Sequence, residues 1–260
     1  MNTLSDPVPT FDVLGVNISA LNLGQAQQLI LAVRAEAPRG YICVADVHGV
    51  TTASEDPALR AVFNRAWLVT PDGMPLVWIG RRRGHQAMTR VYGPDLMLAV
   101  CAAGRAAGLT HYFYGGAPGV AEKLQKRLTE RFPGLRVVGT CSPPFRAPTA
   151  SETANWRAEI ARLRPDVLWI GLGTPKQDRL MSELSGQIAA GVLIGVGAAF
   201  DFHSGTKPQA PRWMQRHGLE WFFRLCTEPR RLGGRYLRNN PVFIARYLLQ
   251  ALGWRRQPPA

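Results

Sequence analysis

Two apolar runs in this 260-residue chain end in glycine and lead into residues able to meet an anion. Val167-Leu-Trp-Ile170 opens into Gly171-Leu-Gly-Thr-Pro-Lys-Gln-Asp178, and Val192-Leu-Ile-Gly-Val-Gly-Ala-Ala-Phe-Asp201 follows shortly after. A strand that turns through glycine into a helix start presents backbone N–H groups and a positive dipole end, which suits a nucleotide-type phosphate. Gly115 and Gly116 form a third such turn, after the apolar run Thr110–Tyr114. Asp72 lies in Thr70-Pro-Asp-Gly-Met-Pro75, directly after another strand-like run. There its carboxylate either accepts a proton from a bound hydroxyl or closes an Asx turn or helix cap.

Other chemistries lack their signatures. No GxGxxG with a following ribose-binding acid occurs, which argues against a dinucleotide enzyme. GxxxxGK[ST] is absent too, so the chain is not read as a P-loop NTPase. His48, His85, His111, His203 and His217 make no ligand pair at helical spacing, and a DxD-like acid pair for a divalent metal is missing. No metal site is expected. Cys43, Cys101, Cys141 and Cys226 are scattered without a CxxC pair and read as buried thiols of a reducing compartment.

The elements that must hold these groups alternate in period. Phe11–Ile18 reads as a hairpin. Helical patterns cover Leu23–Ala37, Val47–Ala53, Pro57–Asn64, Asp95–Ala107, Ala121–Arg131, Thr153–Leu163 and Lys176–Leu184. Between them lie the apolar runs Tyr41–Ala45, Ala66–Thr70, Thr110–Tyr114, Leu135–Gly139, Val167–Ile170 and that beginning at Val192. Strands separated by helices predict an α/β fold, a Rossmann-like, mainly parallel sheet with helices on both faces. Ligands of such sheets gather at the carboxyl ends of strands, where the three glycine turns fall.

The chain changes character near residue 207. Residues 1–206 read as the α/β core and 207–260 as a basic C-terminal helical appendage. The whole chain carries a formal charge of +13, and from Arg212 onward ten arginines face only Glu220 and Glu228. Arginine's planar fork suits phosphate oxygens, so a diphosphate, an anionic lipid surface or nucleic acid fits this composition. Pro241–Trp254 is apolar over a length suited to lying in a membrane interface, and equally to packing on the core. The first residues resemble no secretory signal and no run is long enough to span a bilayer, so a cytoplasmic, peripherally attached protein is expected.

Five motifs in order carry a resemblance over roughly residues 11 to 250. They are Thr70-Pro-Asp-Gly-Met74, Arg90-Val-Tyr-Gly-Pro-Asp95, Gly171–Asp178, Gly195–Asp201 and Leu219-Glu-Trp-Phe-Phe-Arg-Leu-Cys-Thr-Glu-Pro-Arg-Arg231. Together they resemble the WecG/TagA/CpsF glycosyltransferases. The resemblance implies an inverting, metal-independent transferase without a cofactor. Such an enzyme passes a sugar from a UDP-sugar to a polyprenyl-diphosphate-linked saccharide on the inner face of the cell membrane, in cell-surface polysaccharide synthesis. It implies Asp72 as general base. Arg90 and Gln177 are expected to hold nucleotide sugar or acceptor, together with Thr70, Gly115, Gly116, Gly171, Gly173, Lys176, Gly197 and Asp201. Arg224, Arg231 and Arg235 match an appendage that closes over the site and touches anionic membrane.

Three positions depart from the family's pattern: Asp46 in Val44-Ala-Asp46 in place of a Thr-x-Asn, Asp178 for Glu, and Ala198 for Gly. They leave the donor sugar open, as the sequence leaves homo-oligomerisation open. The competing reading is a non-catalytic nucleotide- or nucleic-acid-binding protein that uses the basic tail; no nucleic acid is expected, because the glycine turns would then lack a purpose.

Overall fold

Six parallel strands build the centre of the molecule. In the computed structural model, which describes residues 7–253 apart from the side chains at 231, 235 and 236, these are β3 (Tyr41–Ala45), β4 (Leu68–Pro71), β5 (Thr110–Gly115), β6 (Arg136–Cys141), β7 (Val167–Gly171) and β8 (Val192–Gly195). Their order across the sheet is β4-β3-β8-β7-β5-β6. The antiparallel hairpin of β1 (Thr10–Val13) and β2 (Val16–Ser19) stands apart from the sheet and packs beside β4.

Successive strand residues point to opposite faces, and both faces here are covered. Cys43, Ala45, Leu168, Ile170 and Leu193 enter one core. Ile42, Val44, Val167, Trp169, Val192 and Ile194 enter the other. Burial on both sides is why these strands read as unbroken apolar runs rather than alternating ones. The covering helices are α1 (Leu23–Leu31), α2 (Val47–Glu55), α3 (Pro57–Arg65), α4 (Met74–Arg82), α5 (Gly93–Gly104), α6 (Val120–Arg131), α7 (Ala150–Leu163), α8 (Lys176–Leu184) and α9 (Ala199–Ser204). The tail adds α10 (Arg212–Arg216), α11 (Glu220–Thr227) and α12 (Pro229–Ala251).

Three details differ from the sequence reading. Helix α1 stops at Leu31 instead of reaching Ala37, because the Ala35 N–H turns to the Asp166 carboxylate at 3.1 Å instead of continuing the helix. Helix α4 is absent from the sequence reading, which assigns no element between Gly73 and Asp95. Proline in the first turn has no N–H to waste and begins the helix. Among the cysteines, Cys43 and Cys101 are buried, Cys141 is half-buried and Cys226 is exposed, since α11 turns it away from the core.

The tail docks on its own chain. Arg246 of α12 meets Glu55 and Ser54 of α2, each at 2.7 Å. Gln250 accepts from the Leu14 N–H at 3.1 Å and donates to Asp12, tying α12 to the hairpin. Phe243 is buried against the core, whereas Ile244, Leu248 and Leu252, spaced by four along α12, are exposed. The helix thus both packs and presents an outer apolar stripe. Lys207 joins Asp201 of α9 (3.4 Å) to Glu228 at the head of α12 (2.9 Å). Among the described residues no helix is long and apolar enough to cross a membrane.

Candidate active site

The parallel sheet opens its carboxyl edge onto five connections: Asp46 after β3, Asp72 after β4, Gly116 after β5, Gly173 after β7 and Gly197 after β8. Asp46 caps α2, its Oδ1 accepting from the Gly49 N–H at 2.7 Å. Asp72 does not cap α4; Gly73 holds that position without a side-chain bond. Its backbone N–H donates to the Ala45 carbonyl at 2.8 Å, which locks the residue to the neighbouring strand. That leaves the carboxylate to other partners.

Arg90 is the first. Its Nη2 donates to Asp72 Oδ1 at 2.9 Å while its Nε donates to the Asp72 carbonyl oxygen. The same Nη2 donates to Glu220 Oε2 at 2.7 Å, and the Tyr92 hydroxyl donates to Glu220 Oε1 at 2.9 Å. The guanidinium lies 3.9 Å from the centre of the Tyr92 ring, a desolvated cation–π contact. Two acids and one arginine therefore share a site whose side chains are at most 20% exposed.

Burial pushes the Asp72 carboxyl up; Arg90 pulls it down, while Glu220 and Asp46 push it up again, to about 7. Burial works against the Arg90 charge, but Asp72 and Glu220 outweigh it and hold the guanidinium protonated. Tyr92 is raised by burial and by Glu220, so its hydroxyl stays a donor. A carboxyl poised near neutrality can take a proton from a hydroxyl and still begin ionised.

Gln177 organises the glycine corners. Its Oε1 accepts from the N–H groups of Gly173 and Gly197, each at 3.0 Å. Glycine at 195 leaves it room, since a Cβ there would sit 2.9 Å from Gln177 Nε2. Gly173 and Gly197 both have positive φ, which a side chain would resist. Beneath this clamp Asp178 is fully buried beside the Thr174 and Cys43 side chains, whose hydrogen bonds offset only part of the effect of burial. Burial raises it to about 6.

Three cavities converge on these groups. One of about 840 Å³ is framed by Gly116, Gly171, Gly173 and Gly197, with Lys176, Asp201 and Lys207 on its walls and the 143–148 loop over it. One of about 90 Å³ lies between the Gly173 and Gly197 corners and the trio Asp46, Asp72 and Glu220. The third, about 450 Å³, runs from Asp72 and Arg90 out between α4 and the tail. Its walls are mainly apolar, with Trp78, Leu219, Trp221, Phe243 and Ile244 among them. Asp72 borders the second and third, and Arg224 borders all three.

The expected residues fall into groups. Asp72, Arg90 and Arg224 meet at the junction, and Gln177, Gly173 and Gly197 shape the small cavity. Gly116, Gly171, Lys176 and Asp201 line the large one. Thr70 stands apart: it is fully buried in β4 and borders none of the three. Gly115 serves strand contact, because a Cβ there would lie 2.7 Å from the Gly171 backbone. The side chains of Arg231 and Arg235 lie outside the described residues.

Glu220, Tyr92 and His48 are not among the site residues expected from sequence, and Asp46 enters there only as a departure from the family's pattern. Glu220 carried a signal, as one of two acids in an arginine-rich tail. Glu220 pairs with Arg90 of the core, and Glu228 pairs with Lys207, which in turn meets Asp201 of α9.

The model of the glycosyl transferase WecG/TagA/CpsF family matches residues 11–257. An N-acetylglucosaminyldiphosphoundecaprenol N-acetyl-beta-D-mannosaminyltransferase of Bacillus spizizenii is 29% identical over 179 residues, spanning 69% of this chain and 68% of that protein. The Bacillus subtilis enzyme of the same name is 25% identical over 188 residues, 69% of this chain and 72% of the relative. The chain belongs to the WecG/TagA/CpsF family of glycosyltransferases.

Proposed function

We propose that this glycosyltransferase moves an N-acetylhexosamine-type sugar from a UDP-sugar to a polyprenyl-diphosphate-linked N-acetylglucosamine, with inversion. The relatives' names supply the acceptor type and the transferred sugar class. One observation carries the assignment of roles: Asp72 stands where a polar cavity bounded by glycine corners meets an apolar cavity bounded by the tail. A nucleotide sugar suits the first side and a lipid-linked saccharide the second.

In this reading the large groove takes the nucleotide diphosphate, with Lys176, Lys207 and Arg224 offsetting its charge. The small cavity takes the sugar. Asp72 removes the acceptor hydroxyl proton as that oxygen attacks the anomeric carbon; the C–O bond to the diphosphate breaks and UDP leaves from the opposite face. A placed base contributes ~10²–10⁴ in rate. Charge stabilisation by Arg224, Lys176 and Lys207 adds a contribution of comparable or larger size.

Residues 1–206 form the catalytic core in this proposal, and residues from 207 form an appendage that walls the acceptor cavity and rests on the inner membrane face. Support for the membrane contact comes from the exposed stripe on α12 and the basic balance of the tail. Each basic residue near an anionic leaflet contributes ~1 kcal/mol.

A UDP-sugar panel offered with a lipid-diphosphate N-acetylglucosamine acceptor tests the reading. The expected result is release of UDP with a product heavier by one N-acetylhexosamine. Binding of UDP without transfer from any member of the panel would overturn it.

A further inference from the structure

We propose that Glu220 is a positioning residue: by taking part of Arg90's hydrogen bonding it leaves the Asp72 carboxylate free to accept a proton, so the base is competent only while α11 is seated. This rests on the reading of Asp72 as the base and adds to it a coupling between the appendage and proton transfer.

The geometry is that of one donor divided between two acids. A single nitrogen, Arg90 Nη2, serves Asp72 Oδ1 at 2.9 Å and Glu220 Oε2 at 2.7 Å. The other Glu220 oxygen is held by the Tyr92 hydroxyl at 2.9 Å. Both of its oxygens are therefore engaged within the core, though Glu220 belongs to the tail. The helix enters the site through this residue.

Electrostatics gives the contact its consequence. With α11 seated, one guanidinium is shared by two carboxylates, and the cluster has surplus negative charge that favours proton uptake by Asp72. With α11 displaced, Arg90 faces Asp72 alone. A full ion pair in a partly buried site stabilises the carboxylate and makes it a poorer base. The other groups bordering Asp72's cavities are Asp46 and His48 at the head of α2, Tyr92 before α5, His217 after α10 and Arg224 of α11. Of these Tyr92 is a direct partner of Glu220, and the charged groups among them are kept when only position 220 is substituted.

The same helix walls the apolar cavity through Trp221 and Arg224. Seating α11 would thus complete the acceptor cavity and activate the base together. An enzyme with its appendage lifted would hold a quenched carboxylate, and a nucleotide sugar in the groove would be spared attack by water.

The test uses the full chain, with the Asp72 carboxyl carbon followed by NMR and identified by its absence in Asp72→Asn. The wild-type midpoint is expected at about 7. Glu220→Gln should lower it by roughly one unit or more, and the acid limb of kcat/KM should move with it. Glu220→Asp keeps the charge but retracts it by one methylene. It should give a smaller drop, and it carries the test should Glu220→Gln not fold. An unmoved midpoint in a folded variant overturns the proposal; a merely structural Glu220 would lower the rate at every pH without shifting the titration. A midpoint that moves while Asp72→Asn remains active keeps the coupling and removes Asp72 from the base role.

Discussion

Arg90 holds Asp72 at two points, donating from Nη2 to its carboxylate at 2.9 Å and from Nε to its backbone carbonyl. The bidentate grip fixes both the side chain and the turn that carries it. Arg90→Lys keeps the charge but loses the fork. It should lower kcat by about 10- to 100-fold while the protein stays folded, because a 1 Å misplacement of a reacting group has an effect of that size. Unchanged turnover in this variant would show that the grip does not position the carboxylate.

Gln177 is predicted to act on binding more than on the chemical step. Gln177→Ala removes the acceptor that draws the Gly173 and Gly197 N–H groups together. Leaving these two part-buried donors unpaired loosens the Gly173 and Gly197 corners that frame the large groove. Affinity for UDP, read by calorimetry, should fall by about tenfold or more. Equal affinity in the two proteins would separate the clamp from the nucleotide site.

Asp178 predicts a pH dependence of stability. Its folded value, about 6, lies above the ordinary 3.8. The folded state therefore holds the proton more tightly, and this contribution is present at low pH and lost as pH rises through about 6. Its size is on the order of 3 kcal/mol. Asp178→Asn should raise the urea midpoint at pH 8 relative to pH 4.5 by comparison with wild type. His111 acts with the opposite sign. Burial lowers it to about 4, so it destabilises as pH falls below the range of a free histidine. An Asp178→Asn protein with the wild-type pH slope would contradict the assignment.

The outer stripe of α12 predicts membrane behaviour. Ile244, Leu248 and Leu252 are 57%, 54% and 69% exposed, so replacing all three by serine should leave the fold intact. Partition onto vesicles rich in anionic lipid should drop by about tenfold or more, as each buried aliphatic side chain contributes ~1.5–3 kcal/mol. Undiminished vesicle binding would assign the contact to another face.

Much of this molecule is legible in its sequence for a physical reason. Runs such as Val167–Ile170 are apolar throughout because both sheet faces are covered, and glycine punctuates the ends of β5, β7 and β8 because backbone must turn sharply there. Asp72 was legible as a strand-end carboxylate. Its partners were not, since Glu220 lies 130 positions from Arg90 and no local pattern reports such a pairing. Helix α4 hid behind a proline that begins it. The end of α1 is set by Asp166, a residue far along the chain. Long-range polar contacts decide these features, and they become visible only once the chain is folded.

Proton removal by Asp72 is tested most directly by the rate of glycosyl transfer in Asp72→Asn, measured beside wild type at saturating donor and acceptor across pH. Wild type should lose rate by about tenfold per unit on the acid side of about 7, and Asp72→Asn should be at least about a hundredfold slower with no such limb. A folded Asp72→Asn enzyme within a few-fold of the wild-type rate would contradict the assignment of Asp72 as the base.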